Sequence, residues 1–312
     1  MSNVGFIYHP DFLKHDTGFG HPEKPQRLES LIQHLLATPL WAQMSHLRPE
    51  PAAMEWIRTV HPDRHTSMIK MRCHLGEAVL DEGDTHVCKE SFDVARLAAG
   101  GVLLAVDEIM TGKLSRTFCA LRPPGHHAES AKVMGFCLLN NVAIGARYAQ
   151  QKHVVKRVAI VDWDVHHGNG TQEIFYDDDA VFYISLHQYP YYPGTGASSE
   201  RGSGRGEGFT LNCPMGAGSV EKDYLDAFQA HILPALNRFE PELLMISAGF
   251  DAHRDDPLAD IKLTEDSFVR MTELLLEIAE RHCGGKIVSV LEGGYNLQAL
   301  ARSVEAHLGL MT

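Results

Sequence analysis

This chain has no apolar run approaching the roughly 18 residues that a membrane-spanning helix requires. Its opening residues, Met1-Ser2-Asn3-Val4-Gly5-Phe6-Ile7, carry neither a basic stretch nor a long apolar one. No secretory leader is therefore expected, and the sequence points to the cytoplasm, where the protein is made. Cysteine is sparse: Cys73, Cys88, Cys119, Cys137, Cys213 and Cys283 are widely spread with no C-x-x-C pair. That spacing fits neither a disulfide framework nor a zinc ribbon and suits a reducing setting. Positive charge is also in deficit, with 28 Lys and Arg against 40 Asp and Glu and a formal net charge of −12. Nucleic acid and anionic membranes are disfavoured as partners, and cationic ligands are mildly favoured. No Pro/Gly/Ser-rich linker and no repeat divides the 312 residues, so a single domain over 1–312 is expected.

What is present is an alternation of two patterns. Val4 to Tyr8, Thr117 to Leu121, Arg157 to Val161, Ala180 to Ser185, Leu243 to Ser247 and Lys286 to Leu291 are short apolar or β-branched runs that read as strands. Arg27 to Leu36, Phe92 to Met110, Asn141 to Gln150, Asp223 to Phe239, Asp266 to His282 and Leu297 to Leu308 read as helices. Such alternation predicts an α/β domain with a mostly parallel sheet covered by helices on both faces.

The most informative stretch is Asp162-Trp163-Asp164-Val165-His166-His167-Gly168-Asn169-Gly170, which follows the apolar Val158-Ala159-Ile160-Val161. Successive side chains on extended backbone point to opposite faces, so Asp164 and His166 project to one side and can grip one ion. A single Asp there would serve as a helix cap. Four titratable groups within six residues at a strand end instead need mutual neutralisation or an ion.

Open α/β sheets build their sites in loops beyond the carboxyl ends of strands. Besides the stretch after Val161, three other predicted strands lead into chemically rich loops: Arg122-Pro123-Pro124-Gly125-His126-His127, Ala248-Gly249-Phe250-Asp251-Ala252-His253 and Glu292-Gly293-Gly294-Tyr295. Each has an ordinary reading alone, as a rigid turn, a helix cap or a loop aromatic. Together they predict one shared crevice.

With these segments in view, the chain resembles the histone deacetylase superfamily, in particular the class II-type deacetylases and the bacterial deacetylase-like amidohydrolases. The resemblance also rests on His21-Pro22-Glu23 with Arg27 and Leu28, Gly135-Phe136-Cys137 with Asn140-Asn141, Ser185-Leu186-His187 and Pro193-Gly194-Thr195-Gly196. It implies an arginase/deacetylase-like α/β fold around an eight-stranded sheet, holding one catalytic zinc through Asp164, His166 and Asp251. Iron or cobalt would also suit two carboxylates and one imidazole. Two carboxylates cancel a divalent charge, so the ion is a weaker Lewis acid than one held by neutral histidines and needs help from neighbours.

By the same resemblance, Tyr295 donates to the developing oxyanion, His127 is the general base that later protonates the leaving amine, and His126 is its electrostatic partner. Asp162 backs His126 and Asn169 backs His127; Asn169 is an aspartate in many relatives, which predicts a less basic His127 here. Potassium is implied at an inner site formed by Asp162, Asp164, His166, Ser185 and Leu186, and at an outer one by Phe175, Asp178 and Val181, mostly through backbone carbonyls.

The substrate-contacting set implied is Gly135, Phe136, Tyr192, Leu258 and Arg27, with Phe136 and Tyr192 as the two aromatic walls of an acyl-lysine tunnel. Tyr189, Tyr191 and Tyr192 crowd one loop, and the family usually has Phe at the second wall. Polyamine-selective members place a glutamate where this chain has Leu258, which favours acetyl-lysine peptides or proteins over small acylated amines. The alternatives are an acetylpolyamine amidohydrolase, an arginase-like enzyme with two manganese ions, suggested by Asp251-Ala252-His253-Arg254-Asp255-Asp256-Pro257, and a non-catalytic acyl-lysine binder. A homo-oligomer is left open.

Overall fold

The computed structural model describes residues 4–312 except Glu82, so Met1-Ser2-Asn3 of the opening segment lie outside the described residues. The strands are β1 (Val4–Ile7), β2 (Ser45–Leu47), β3 (Arg116–Cys119), β4 (Val158–Asp162), β5 (Val181–Gln188), β6 (Thr210–Met215), β7 (Leu243–Ala248) and β8 (Ile287–Leu291). They form one eight-stranded sheet in the order β2-β1-β3-β8-β7-β4-β5-β6. Every pairing is parallel, so the expected mostly parallel sheet is wholly so. Strands β1, β4, β5, β7 and β8 are buried at every position, as a parallel sheet covered on both faces demands.

The helices that cover the sheet begin and end close to where the apolar period starts and stops. The helix Asn141–His153 opens on Asn140, whose side chain accepts from the Ala143 N–H at 3.0 Å. The helix Leu297–Met311 opens in the same way on Asn296. Both long predicted helices near the C-terminus contain a wider turn, at Phe228–Ile232 and Ala279–Cys283.

Two strands escaped the sequence reading, and they are the two sheet edges, β2 and β6. An edge strand has only one paired neighbour, so it tolerates a polar or irregular composition, here Ser45-His46-Leu47 and a strand containing Asn212 and Pro214. The helix Asp63–His74 was also missed; it buries His65, Thr66, Ile69 and Cys73, a face with little apolar signal.

Candidate metal centre and hydrolytic pocket

Four adjacent strands in the middle of the sheet, β3, β8, β7 and β4, end at the four chemically rich loops. The sheet order, not proximity along the chain, brings those loops to one crevice. β4 ends at Asp162 and the backbone bends over Asp164 to His166, yet the predicted division of side chains holds. Trp163 and Val165 are fully buried, with the Trp163 ring 5.4 Å from that of His307 and 6.4 Å from that of Phe268, while Asp162, Asp164 and His166 serve the crevice.

Asp164, His166 and Asp251 each offer one ligand atom, all within 4.8 Å of one another. The His166 Nδ1 lies 3.2 Å from Asp164 Oδ1 and 3.2 Å from Asp251 Oδ2. Backbone N–H groups orient the carboxylates: Gly293 donates to Asp164 Oδ2 at 2.8 Å and Val165 to Asp251 Oδ1 at 2.9 Å. No side chain fits at Gly293, where a Cβ would stand 2.1 Å from Asp251 Oδ2 and 2.6 Å from Asp164 Oδ2. The electrostatics call for a cation. Burial opposes a charge on His166, yet hydrogen bonds to Asp164 and Asp251 hold it up at about 10, and burial together with Asp164 pushes Asp251 up. Two buried carboxylates and one imidazole converging on a point fit a divalent ion, with room left for water and substrate. Among the described residues this is the one such cluster. The Asp251 to Asp256 string builds no second one: His253 Nε2 turns to Glu265 at 3.3 Å, and Asp256 accepts from the Tyr295 N–H at 2.7 Å.

Beside this cluster the rings of His126 and His127 lie 4.0 Å apart. His126 Nδ1 is 3.0 Å from Asp162 Oδ2, which also accepts from the Tyr183 hydroxyl at 3.0 Å. His127 Nδ1 is 2.8 Å from Asn169 Oδ1. The two histidines are driven apart: burial works against a proton on both, but Asp164 and Asp162 hold His126 well above the histidine range, whereas burial, His126 and His166 hold His127 well below it. Glu292, given no role by its sequence context, accepts from the Gly125 N–H at 2.7 Å and the His126 N–H at 3.2 Å, fixing the loop that carries both rings. Burial raises its carboxyl to about 7.

A narrow pocket of about 210 Å³ opens over these groups. Phe136 and Tyr192 line it together with His127, His166 and Tyr295, and Leu258 and Asp84 complete part of the lining. Phe136 sits at φ 68° and Gly135 at φ 55°, the left-handed region where non-glycine residues carry strain. At Gly135 a Cβ would stand 2.3 Å from the His127 ring, so this glycine lets the wall approach that histidine. Tyr192 meets the His127 ring edge-on at 5.3 Å and donates its hydroxyl to Asp84 at 3.1 Å. Tyr191 also lines the pocket, its ring stacked on His166 at 5.8 Å and its hydroxyl bound to the Leu258 carbonyl, whereas Tyr189 packs near His187. The Tyr295 hydroxyl has no hydrogen-bond partner among the described residues, and burial raises it well above the tyrosine range, so it is a donor.

Arg27 is not where a substrate contact belongs. It is fully buried behind Tyr295, its guanidinium 5.0 Å from the ring, and donates to the carbonyls of Glu292 at 2.5 Å and Gly294 at 2.7 Å. It does not line the pocket, and each of its three guanidinium nitrogens donates within the fold, so it braces the Tyr295 loop. Of the positions read for monovalent cations, Asp162 and Ser185 are in register on β4 and β5 with Leu186 next in line, while Phe175, Asp178 and Val181 lie where the helix Asn169–Phe175 leads into β5. Asp178 is engaged by Arg147. The neighbouring His167 bonds Thr195 and Gln172.

Comparison with known proteins agrees with this geometry. The family model described as "Histone deacetylase domain" matches residues 21–311. A "Probable deacetylase" of Archaeoglobus fulgidus is 39% identical over 297 residues, covering 95% of this chain and 82% of the relative. The "Histone deacetylase-like amidohydrolase" of Pseudomonas aeruginosa is 41% identical over 278 residues, covering 89% of this chain and 73% of the relative. The solved structure titled "Crystal Structure of HDA15 HD domain" superposes with a TM-score of 0.94 at 39% identity, covering 100% of this chain and 90% of that one. This chain belongs to the histone deacetylase family, hydrolases that act on amides.

Proposed function

We propose that the protein hydrolyses the side-chain amide of N-acetyl-lysine, or a related acyl-lysine, in peptides or proteins, with zinc held by Asp164, His166 and Asp251. The observation that carries this reading is the placement of a neutral His127 and an unpartnered Tyr295 hydroxyl around the metal-capable cluster, at the end of a pocket walled by two aromatic rings. Bound there, the ion would polarise the acyl carbonyl and a water.

The chain's own groups do the rest. Phe136 and Tyr192 enclose an alkyl stem and shed its water. Neutral His127 takes the proton of the attacking water and returns it to the leaving amine. Positively charged His126, held by Asp162 and Asp164, stabilises the anionic character that develops beside it. Tyr295 donates to the carbonyl oxygen as it becomes negative. Potassium at the inner and outer positions named above belongs to the same proposal, as does a cytoplasmic setting, with which six unpaired cysteines agree.

Leu258 lines the pocket with an apolar side chain, which favours acyl-lysine over acetylated polyamines whose distal ammonium needs an anion there. The test compares zinc-loaded enzyme on acetyl-lysine peptides and on N-acetylputrescine, with elemental analysis alongside. One zinc per chain and faster turnover of the peptide are expected. A large preference for the polyamine would move the assignment to that substrate, and two metals per chain would remove it.

A further inference from the structure

The carboxamide of Asn169 is held from both sides. Its oxygen faces His127 Nδ1 at 2.8 Å, and its nitrogen faces Glu129 Oε1 at 2.8 Å, with the His127 carbonyl at 3.4 Å and Met134 Sδ at 3.5 Å behind. None of those three atoms donates: a carboxylate, a carbonyl and a thioether only accept. The amide nitrogen must therefore point at them, and the oxygen at the histidine. An oxygen there can only accept, so His127 carries its hydrogen on Nδ1 and leaves Nε2 bare, the tautomer a general base requires.

We propose that Glu129 is a positioning residue of the hydrolytic site, which fixes the Asn169 amide and through it the tautomer of His127. The inference rests on the reading of His127 as the base. Several features single Glu129 out. It follows the histidine pair on the same loop, within two residues of His127, and its backbone N–H is tied to the Lys132 carbonyl at 3.0 Å. Among the described residues its carboxylate makes no ion pair and has Asn169 as its hydrogen-bond partner, so it is not explained as a structural salt bridge. It is half-buried and opens on the surface beside Asn169 rather than on the pocket, so it does not touch substrate. A carboxylate that would orient the histidine directly, were position 169 an aspartate, is thus supplied one hydrogen bond further out. The sign of the negative charge is kept while its distance from the imidazole grows, which preserves orientation and gives up basicity.

The test is a cycle of Glu129→Ala, Asn169→Asp and the two combined, with Glu129→Gln as the conservative variant, all assayed on one acetyl-lysine peptide. Glu129→Ala should lower kcat by about tenfold, the scale of orienting groups one shell out, with KM unchanged. Glu129→Gln should restore most of the loss, because its carbonyl oxygen still accepts from Asn169. In the Asn169→Asp background the histidine faces an acceptor whichever way the side chain turns, so removing Glu129 should cost nothing or raise kcat by relieving two facing carboxylates. Imidazole nitrogen NMR shifts should show the Nδ1–H form of His127 in the wild type and a mixture in Glu129→Ala. Equal losses in both backgrounds, a loss carried by KM alone, or an unchanged tautomer would overturn the proposal. Full activity of His127→Ala would instead overturn the reading of the base, and the proposal with it.

Discussion

At the scale of single residues, this site separates groups of like chemistry by their surroundings. Two adjacent histidines differ in charge because one rests between carboxylates, while burial and the neighbouring His126 and His166 hold the other down. Replacing Asn169 by Asp should favour the protonated form of His127, moving the acidic limb of the pH-rate profile to higher pH, since a general base works only when unprotonated. An unmoved limb in steady-state assays across pH would refute this account of His127. In the proposed mechanism Tyr295→Phe removes the donor to the developing oxyanion, and it should lower kcat by about two to three orders of magnitude with little change in KM. If the variant still turns over acetyl-lysine peptide at the wild-type rate, the mechanism fails. Gly293→Ala would place a methyl against both carboxylates of the cluster, so zinc affinity measured by calorimetry should collapse.

Between elements, the loops are locked by a buried ion cluster that no single motif announces. Glu23, ahead of the helix Gln26–Leu36, accepts from Arg122 at 2.5 Å and 2.7 Å and from Arg27 at 3.0 Å. Arg122 belongs to the loop after β3, and Arg27 reaches the loop after β8, so one carboxylate ties together three segments of the crevice. All three side chains are fully buried. Removing the partner of two buried guanidinium groups leaves uncompensated charge, and Glu23→Ala should cost about 3–5 kcal/mol in urea denaturation. A loss no larger than that of a surface carboxylate would show that these loops hold themselves. The same element scale explains the missed edge strands: pattern recognition relies on continuous apolar runs, which only strands flanked on both sides must have.

Over the whole molecule, buried neutral histidines set the response to acid. His61 and His307 are buried against hydroxyls or backbone and His15 against the Ser91 hydroxyl with the Glu23 carboxylate 3.6 Å away, and burial pushes each down to about 3, with Arg122 adding to it at His15. Below the ordinary histidine pKa of about 6.5 the unfolded chain takes up these protons and the native one does not. The stability contributed by these three should thus be full above that pH and fall on acidification at about 1.4 kcal/mol per pH unit for each, until the folded groups titrate, while His126 and His166, held up in the fold, contribute with the opposite sign. Glu23, held down at about 2 by its arginines against burial, adds to the loss below its usual range. Urea midpoints at pH 7.5 and 5.5, compared between the wild type and His307→Gln, measure this for His307, and the same pH dependence in both would show that His307 is hydrated in the native state. Among the described residues no helix is long and apolar enough to cross a membrane.

The sequence by itself determined whatever depends on near neighbours along the chain. The period of β4 and the alternation past it were legible, and so was the pairing of Asp164 with His166 on one side of the backbone. Resemblance supplied the partners Asp251, His126, His127 and Tyr295, and the structure brings all four to one crevice with them. The fold alone decided matters of distance between remote segments. Sheet order puts β8 and β7 between β3 and β4, so loops more than a hundred residues apart share one wall. Packing chose Tyr192 and Tyr191 over Tyr189 for the pocket and turned Arg27 away from it. The hydrogen-bond chain from His127 through Asn169 to Glu129 also needed the fold, because which atom an amide presents depends on what surrounds it, and periodicity carries no record of that.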